Sequence, residues 1–161
     1  MIRHLTRGGL AVLAAFLVFS ALRQISLPLA LGIDVFTVAV IVHGFFEGEI
    51  AGSIVGAVCG LVIDAFSHGL FGLSGLSKTV VGFLAGFISR KINVQLPARM
   101  AVFAGLLGAV DLGLGILLST LVGAESLPWA RGWLFIRPAG AAVLATAAVQ
   151  VLRRIRSRHE G

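Results

Sequence analysis

The chain is laid out as six long apolar stretches separated by short polar gaps, and this pattern limits what it can fold into more than any other feature. The stretches run roughly Leu5 to Gln24, Leu29 to Phe46, Glu49 to Phe66, Phe71 to Ser89, Met100 to Val122 and Trp133 to Leu152. Each is near the roughly 20 residues that a helix needs to cross a hydrocarbon core. Six such spans would use about 120 of the 161 residues and leave nothing for a separate soluble domain. The residues are 58% hydrophobic and 12% charged, and mean hydropathy is +1.02. With the 21 glycines the apolar fraction reaches about 71%, against about 45–50% in a soluble domain. So few polar residues cannot build a water-facing shell. Strands of a membrane barrel would alternate inward and outward polarity, and these uninterrupted runs do not. The expectation is an all-α integral membrane protein: a compact bundle of six transmembrane helices in one domain, 1–161.

Orientation follows from the basic residues. Under six spans, Arg3, Arg7, Arg90, Lys91, Arg99, Arg153, Arg154, Arg156 and Arg158 fall on one side, nine of thirteen. Arg23 and Arg131 fall on the other, and Lys78 and Arg137 within spans. Basic loops stay in the cytoplasm, so both termini are expected there. The net charge of +6 is distributed as in a membrane protein, which argues against nucleic acid. Arg3, Arg7 and the run from Gly8 to Leu22 have the outline of a signal peptide, but no A-x-A site follows. A retained first span is expected. Trp129 and Trp133 suit the membrane interface. The tail arginines 153, 154, 156 and 158 suit anionic headgroups or a cytoplasmic partner.

The third span carries the most specific signal. Gly48, Gly52, Gly56, Gly60 and then Asp64 recur every fourth residue. On a helix this spacing makes a shallow stripe with no side chains, along which another backbone can approach closely. Gly82 and Gly86, Ala101 and Gly105, and Ala11 and Ala15 repeat the pattern more weakly. The stripe serves either packing within the chain or a contact with a partner.

Charges inside spans are costly, about 2.5–3.5 kcal/mol each at a helix centre on insertion scales. Asp64, Lys78, Asp111 and Arg137 lie within spans, and Asp34 lies nearer the outer end of its span. Mutual pairing, a proton or substrate path, and partner contact are the alternatives. Asp64 stands at a helix C-terminus, where the dipole disfavours an anion. Glycines 69, 72 and 75 follow closely, so backbone N–H groups of the next helix start are its expected donors, with Lys78 as the alternative. His43 and His68 read as boundary polar residues, and Cys59 is the single cysteine. Ser53, Ser67, Ser74 and Ser77 have no base beside them, and there is no metal-ligand or phosphate-cradling motif. An enzyme or a resident cofactor is not expected.

Residues 52–91 read GSIVGAVCGLVIDAFSHGLFGLSGLSKTVVGFLAGFISRK. This stretch resembles the MreD family of bacterial rod shape-determining membrane proteins, whose hallmark is G-x3-G-x3-D-x2-S-G-x2-L-G followed by a span with a basic end. Gly56, Gly60, Asp64 and Ser67 match, and Arg90 and Lys91 supply the basic end. His68-Gly69 and Phe71-Gly72 are offset from the pattern, and Leu31 to Asp34 lacks a Pro-Asp pair. The resemblance implies a non-enzymatic scaffold in the inner membrane that works in cell elongation and peptidoglycan synthesis. It would contact a single-span MreC-like partner, and through it MreB, RodA and a penicillin-binding transpeptidase. An alternative is a substrate-binding S component of an energy-coupling-factor transporter, whose fold such a bundle would share and whose docking face Ala11 and Ala15 would fit. A channel or pump would need its charges along one wet path.

Overall fold

The computed structural model describes residues 2–25, 34–66, 72–91, 96–123 and 136–159. These form α1 (Ile2–Ile25), α2 (Val35–Glu47), α3 (Glu49–Phe66), α4 (Leu73–Lys91), α5 (Pro97–Leu121) and α6 (Ile136–His159), with no strand among the described residues. The chain is all-α. Helix α3 has the bounds expected of the third span. Helix α2 begins at Val35 because the Asp34 carboxylate accepts from Thr37 N at 3.0 Å and caps it; residues 26–33, which include Pro28, lie outside the described residues. Helix α5 opens on Pro97, where the missing N–H costs nothing. Helix α6 continues past Leu152 to His159, so the arginine-rich tail is helical backbone and not an appendage.

By length and composition, α3 and α5 are the two described helices long and apolar enough to cross a membrane. The apolar parts of α1 and α6 are shorter, Gly8–Leu22 and Pro138–Leu152. Helix α2, at 13 residues, spans only about 20 Å.

Helix α2 sits at the centre and touches every other helix. It is apolar on nearly all faces, as a helix surrounded by others must be; Val40 and Ile41 have no exposed surface. Phe36 meets Phe19 of α1 at 5.3 Å between ring centroids. Large apolar side chains are exposed on each of the other five helices, among them Leu10, Ile50, Phe83, Leu106 and Val143. Soluble monomers do not present apolar surface on this scale. Helices α5 and α6 approach through Gly108, where a Cβ would lie 3.0 Å from that of Ala141.

Gly48 alone separates α2 from α3. Its φ of +96° lies where glycine is at ease, and its N–H donates to Gly44 O at 2.9 Å. The chain doubles back there, bringing Gly44 against Gly52.

Candidate functional site

The glycine stripe on α3 is filled by α4. A Cβ on Gly52 would strike Gly82 O, one on Gly56 would strike Lys78 O, and one on Gly60 would strike Ser74 O and the backbone of Gly75. From the other side, a Cβ on Gly82 would strike Gly52 O, and one on Gly86 the backbone at Gly48 and Glu49. Each step of four up α3 thus meets a step of four back along α4, an antiparallel seam in which backbone touches backbone. Of the two uses open in sequence, the stripe serves packing within the chain. Gly48 has a different role from the rungs above it: it is the turn, and the Arg90 guanidinium covers the place of its missing Cβ. Arg90 Nη1 in turn bonds Glu49 Oε1 at 3.1 Å and ties the end of α4 to the start of α3.

At the far end of the seam the Asp64 carboxylate is buried and accepts three backbone N–H groups: Gly72 at 2.8 Å, Gly75 at 3.2 Å and Ser74 at 3.3 Å. These are N–H groups that the first turn of α4 cannot pair within itself. A carboxylate beside a helix N-terminus is also favoured by the dipole. Asp64 therefore caps α4 from the helix before it, and α4's dipole offsets the unfavourable one of α3. Gly72 adopts φ +103° to close the turn. Asp64→Ala should lower stability by about 2 kcal/mol or more through the orphaned donors. Asp64→Asn, which keeps one good acceptor, should lose about half of that. Thermal unfolding in detergent measures both.

Lys78 does not pair with Asp64. Its backbone carbonyl lies in the seam, while its side chain reaches away from α3. Lys78 Nζ bonds Asp34 Oδ2 at 2.7 Å, Asp111 Oδ2 at 3.0 Å and Thr37 Oγ1. All three ammonium donors are thereby satisfied. Thr37 Oγ1 donates to Asp111 Oδ2 at 2.8 Å, and Ser77 Oγ donates to Asp111 Oδ1 at 2.7 Å. Lys78 is 3% exposed, and its two acids are 16% and 13% exposed. The cluster joins α2, α4 and α5. Buried ions are tolerated where opposite charge and hydrogen bonds satisfy them together, and here one cation serves two anions. Sequence reading left Thr37 unnamed and considered Ser77 only as a nucleophile. The available signal was depth: Asp34 opens α2, Lys78 lies in the second turn of α4, and these two helices run parallel.

The other residues singled out from sequence stand apart from these two features. Cys59 is fully buried, and His43 is buried on α2 with a partner. The side chains of Arg137, Arg153, Arg156 and Arg158 lie outside the described residues, as do His68, Trp129 and Trp133. Arg154 is exposed on α6. Among the described residues no group of three or more His, Cys, Asp or Glu is placed to hold a metal. Chemically, the arrangement holds helices together.

Comparison of the chain with models of known families, with curated proteins and with solved structures gives no match.

Proposed function

We propose that the chain is a non-enzymatic scaffold of the bacterial cell-elongation machinery, embedded in the cytoplasmic membrane as six spans with both termini inside, and that it binds the membrane anchor of an MreC-like partner by helix packing. One observation carries this reading. Of the residues on which the resemblance to the MreD family rests, four belong to a single device: Gly56 and Gly60 admit the backbone of α4, Asp64 sets its first turn, and Arg90 ties down its end; Ser67 lies outside the described residues. The motif is a prescription for one tightly closed helix pair, as suits a protein whose work is to present fixed faces. The partner's helix then meets a face other than the α3–α4 seam, which is already filled. Through that partner the chain would be linked to MreB, RodA and a transpeptidase.

The buried charges favour a scaffold over a transporter subunit, because Asp34, Lys78 and Asp111 bond one another. The short α2 fits a span where the bundle thins the bilayer. The test is affinity purification of the tagged chain co-expressed with an MreC-like protein. Stoichiometric recovery of the partner, and rounding of rod-shaped cells on depletion, are expected. Recovery of a bound small molecule in place of the partner would overturn the reading in favour of the transporter subunit.

A further inference from the structure

The bundle divides into a body, α1 to α4, and a pair, α5 with α6. In the body the glycines of α3 and α4 press backbone on backbone, and Gly44 brings α2 against the same stretch of α4 at Gly82 and Gly86. The glycines of α5 look elsewhere. Gly105 and Gly108 face Pro138, Ala141 and Ala142 of α6, while a Cβ on Gly113 or Gly115 would meet nothing within 4 Å. Helix α5 therefore closes on α6 through small residues and meets α2 and α4 through side chains. Among the described residues α6 touches α5 and α2 and does not touch α1. A groove of about 580 Å³ lies between α1 and α6 over α2, so α6 has open space on its α1 side.

Asp111 is where the pair is fastened to the body. It shares a face of α5 with the buried Ala104 and Leu107. Its Oδ2 accepts from Lys78 Nζ at 3.0 Å and from Thr37 Oγ1 at 2.8 Å. Ser77 Oγ lies 2.7 Å from its Oδ1 and 3.1 Å from its backbone oxygen. One residue of α5 thus takes hydrogen bonds from three side chains of the body. The body depends on it less, because Lys78 has Asp34, at 2.7 Å, and Thr37 as partners of its own.

We propose that the α5–α6 pair is a latched moving part: it shifts as one unit over α2 and α4, with Asp111 as the latch, while the α3–α4 seam stays shut. Helices that meet through side chains can slide past one another. Interlocked backbones cannot do so without losing the whole contact. Units of this kind open at a lower free energy than the whole fold. Opening takes an acceptor from Thr37, Ser77 and Lys78 in apolar surroundings, which is costly, so the closed arrangement dominates in the native chain. The device is independent of the partner proposed above.

The test places spin labels on cysteines at exposed positions of the full chain in detergent, with Cys59→Ala, and measures distances by double electron–electron resonance. Ile54→Cys on α3 with Leu106→Cys on α5 spans the joint between body and pair. Leu13→Cys on α1 with Leu76→Cys on α4 stays within the body, and Leu106→Cys with Val143→Cys on α6 stays within the pair. With the latch intact, each combination should give a single distance. Asp111→Ala should add a second population across the joint and leave the other two distances unchanged. Asp111→Asn, which retains one acceptor oxygen, should give a smaller second population, and it reads the latch where the alanine variant does not purify. Asp34→Asn, which leaves Lys78 bonded to Asp111, should change none of the three. Equal broadening of all three distances would show that the bundle loosens as a whole. No change in any of them would show that Asp111 latches nothing. Either result overturns the inference, as would a second population after Asp34→Asn as large as that after Asp111→Ala.

Discussion

Replacing Gly56 by leucine is expected to unfold the isolated chain, not merely to weaken it. The Cβ of the new residue would collide with Lys78 O. That oxygen belongs to a helix backbone and cannot rotate aside as the tip of a side chain would. Relief requires α3 and α4 to separate, which opens the flanking rungs at Gly52 with Gly82 and at Gly60 with Ser74. It also draws Lys78 out of its ion cluster. Ordinary overpacking costs about 1–3 kcal/mol. A backbone collision that splits a seam should exceed about 4 kcal/mol, the range reserved for named structural failures. Thermal unfolding in detergent, and the yield of chain in the membrane fraction, read the effect. The control is Gly113→Ala on α5, where an added Cβ meets nothing within 4 Å; it should be neutral or stabilise by up to about 1 kcal/mol. If Gly56→Leu were to purify with normal stability while losing only a partner, the seam would be an external surface after all.

The second large effect is expected at Lys78. Lys78→Met keeps the length and apolar stem of the side chain but leaves Asp34 and Asp111 facing each other without their cation. Removing one member of a buried ion cluster typically costs about 3–5 kcal/mol, because the remaining charge is uncompensated. Adding Asp34→Asn and Asp111→Asn to Lys78→Met should restore most of the loss, since well-packed neutral groups can replace buried ions at little net cost. The comparison separates the two roles of the residue: its backbone in the seam is the same in all variants, and only the charge differs. Unfolding of the single and triple variants under the same detergent conditions provides the measurement. A triple variant no more stable than Lys78→Met would show that the ions are not what holds α2, α4 and α5 together.

Much of the helix pair was legible because its signals are local. The bounds of α3 follow from charge and hydropathy along one stretch. The four-residue spacing of Gly52, Gly56 and Gly60 states in itself that a backbone comes close. Asp64 and the glycines after it lie within 11 residues of one another, so their hydrogen bonds follow from a single tight turn. The Lys78 cluster is different in kind. Its partners lie 44 and 33 residues away in sequence, and nothing in the spacing of one helix specifies the rotation or depth of another. Gly44 escaped notice for the same reason, since its partners across α4, Gly82 and Ala85, are met only once α2 has folded back over Gly48. Gly48 kept the period of the ladder yet became a turn, because period alone does not distinguish a rung from a helix end.

Sequence by itself determined that this chain is helical, that its outer surface is apolar, and that one helix has a bare stripe for close approach. These properties arise from residue chemistry and from the 3.6-residue period within single helices. The tertiary structure alone decided that α4 fills the stripe, that one lysine serves two distant carboxylates, and that α1 and α6 part over α2 to leave a groove. Those outcomes depend on how separate helices turn their faces toward one another, and that choice is made by packing the whole bundle at once.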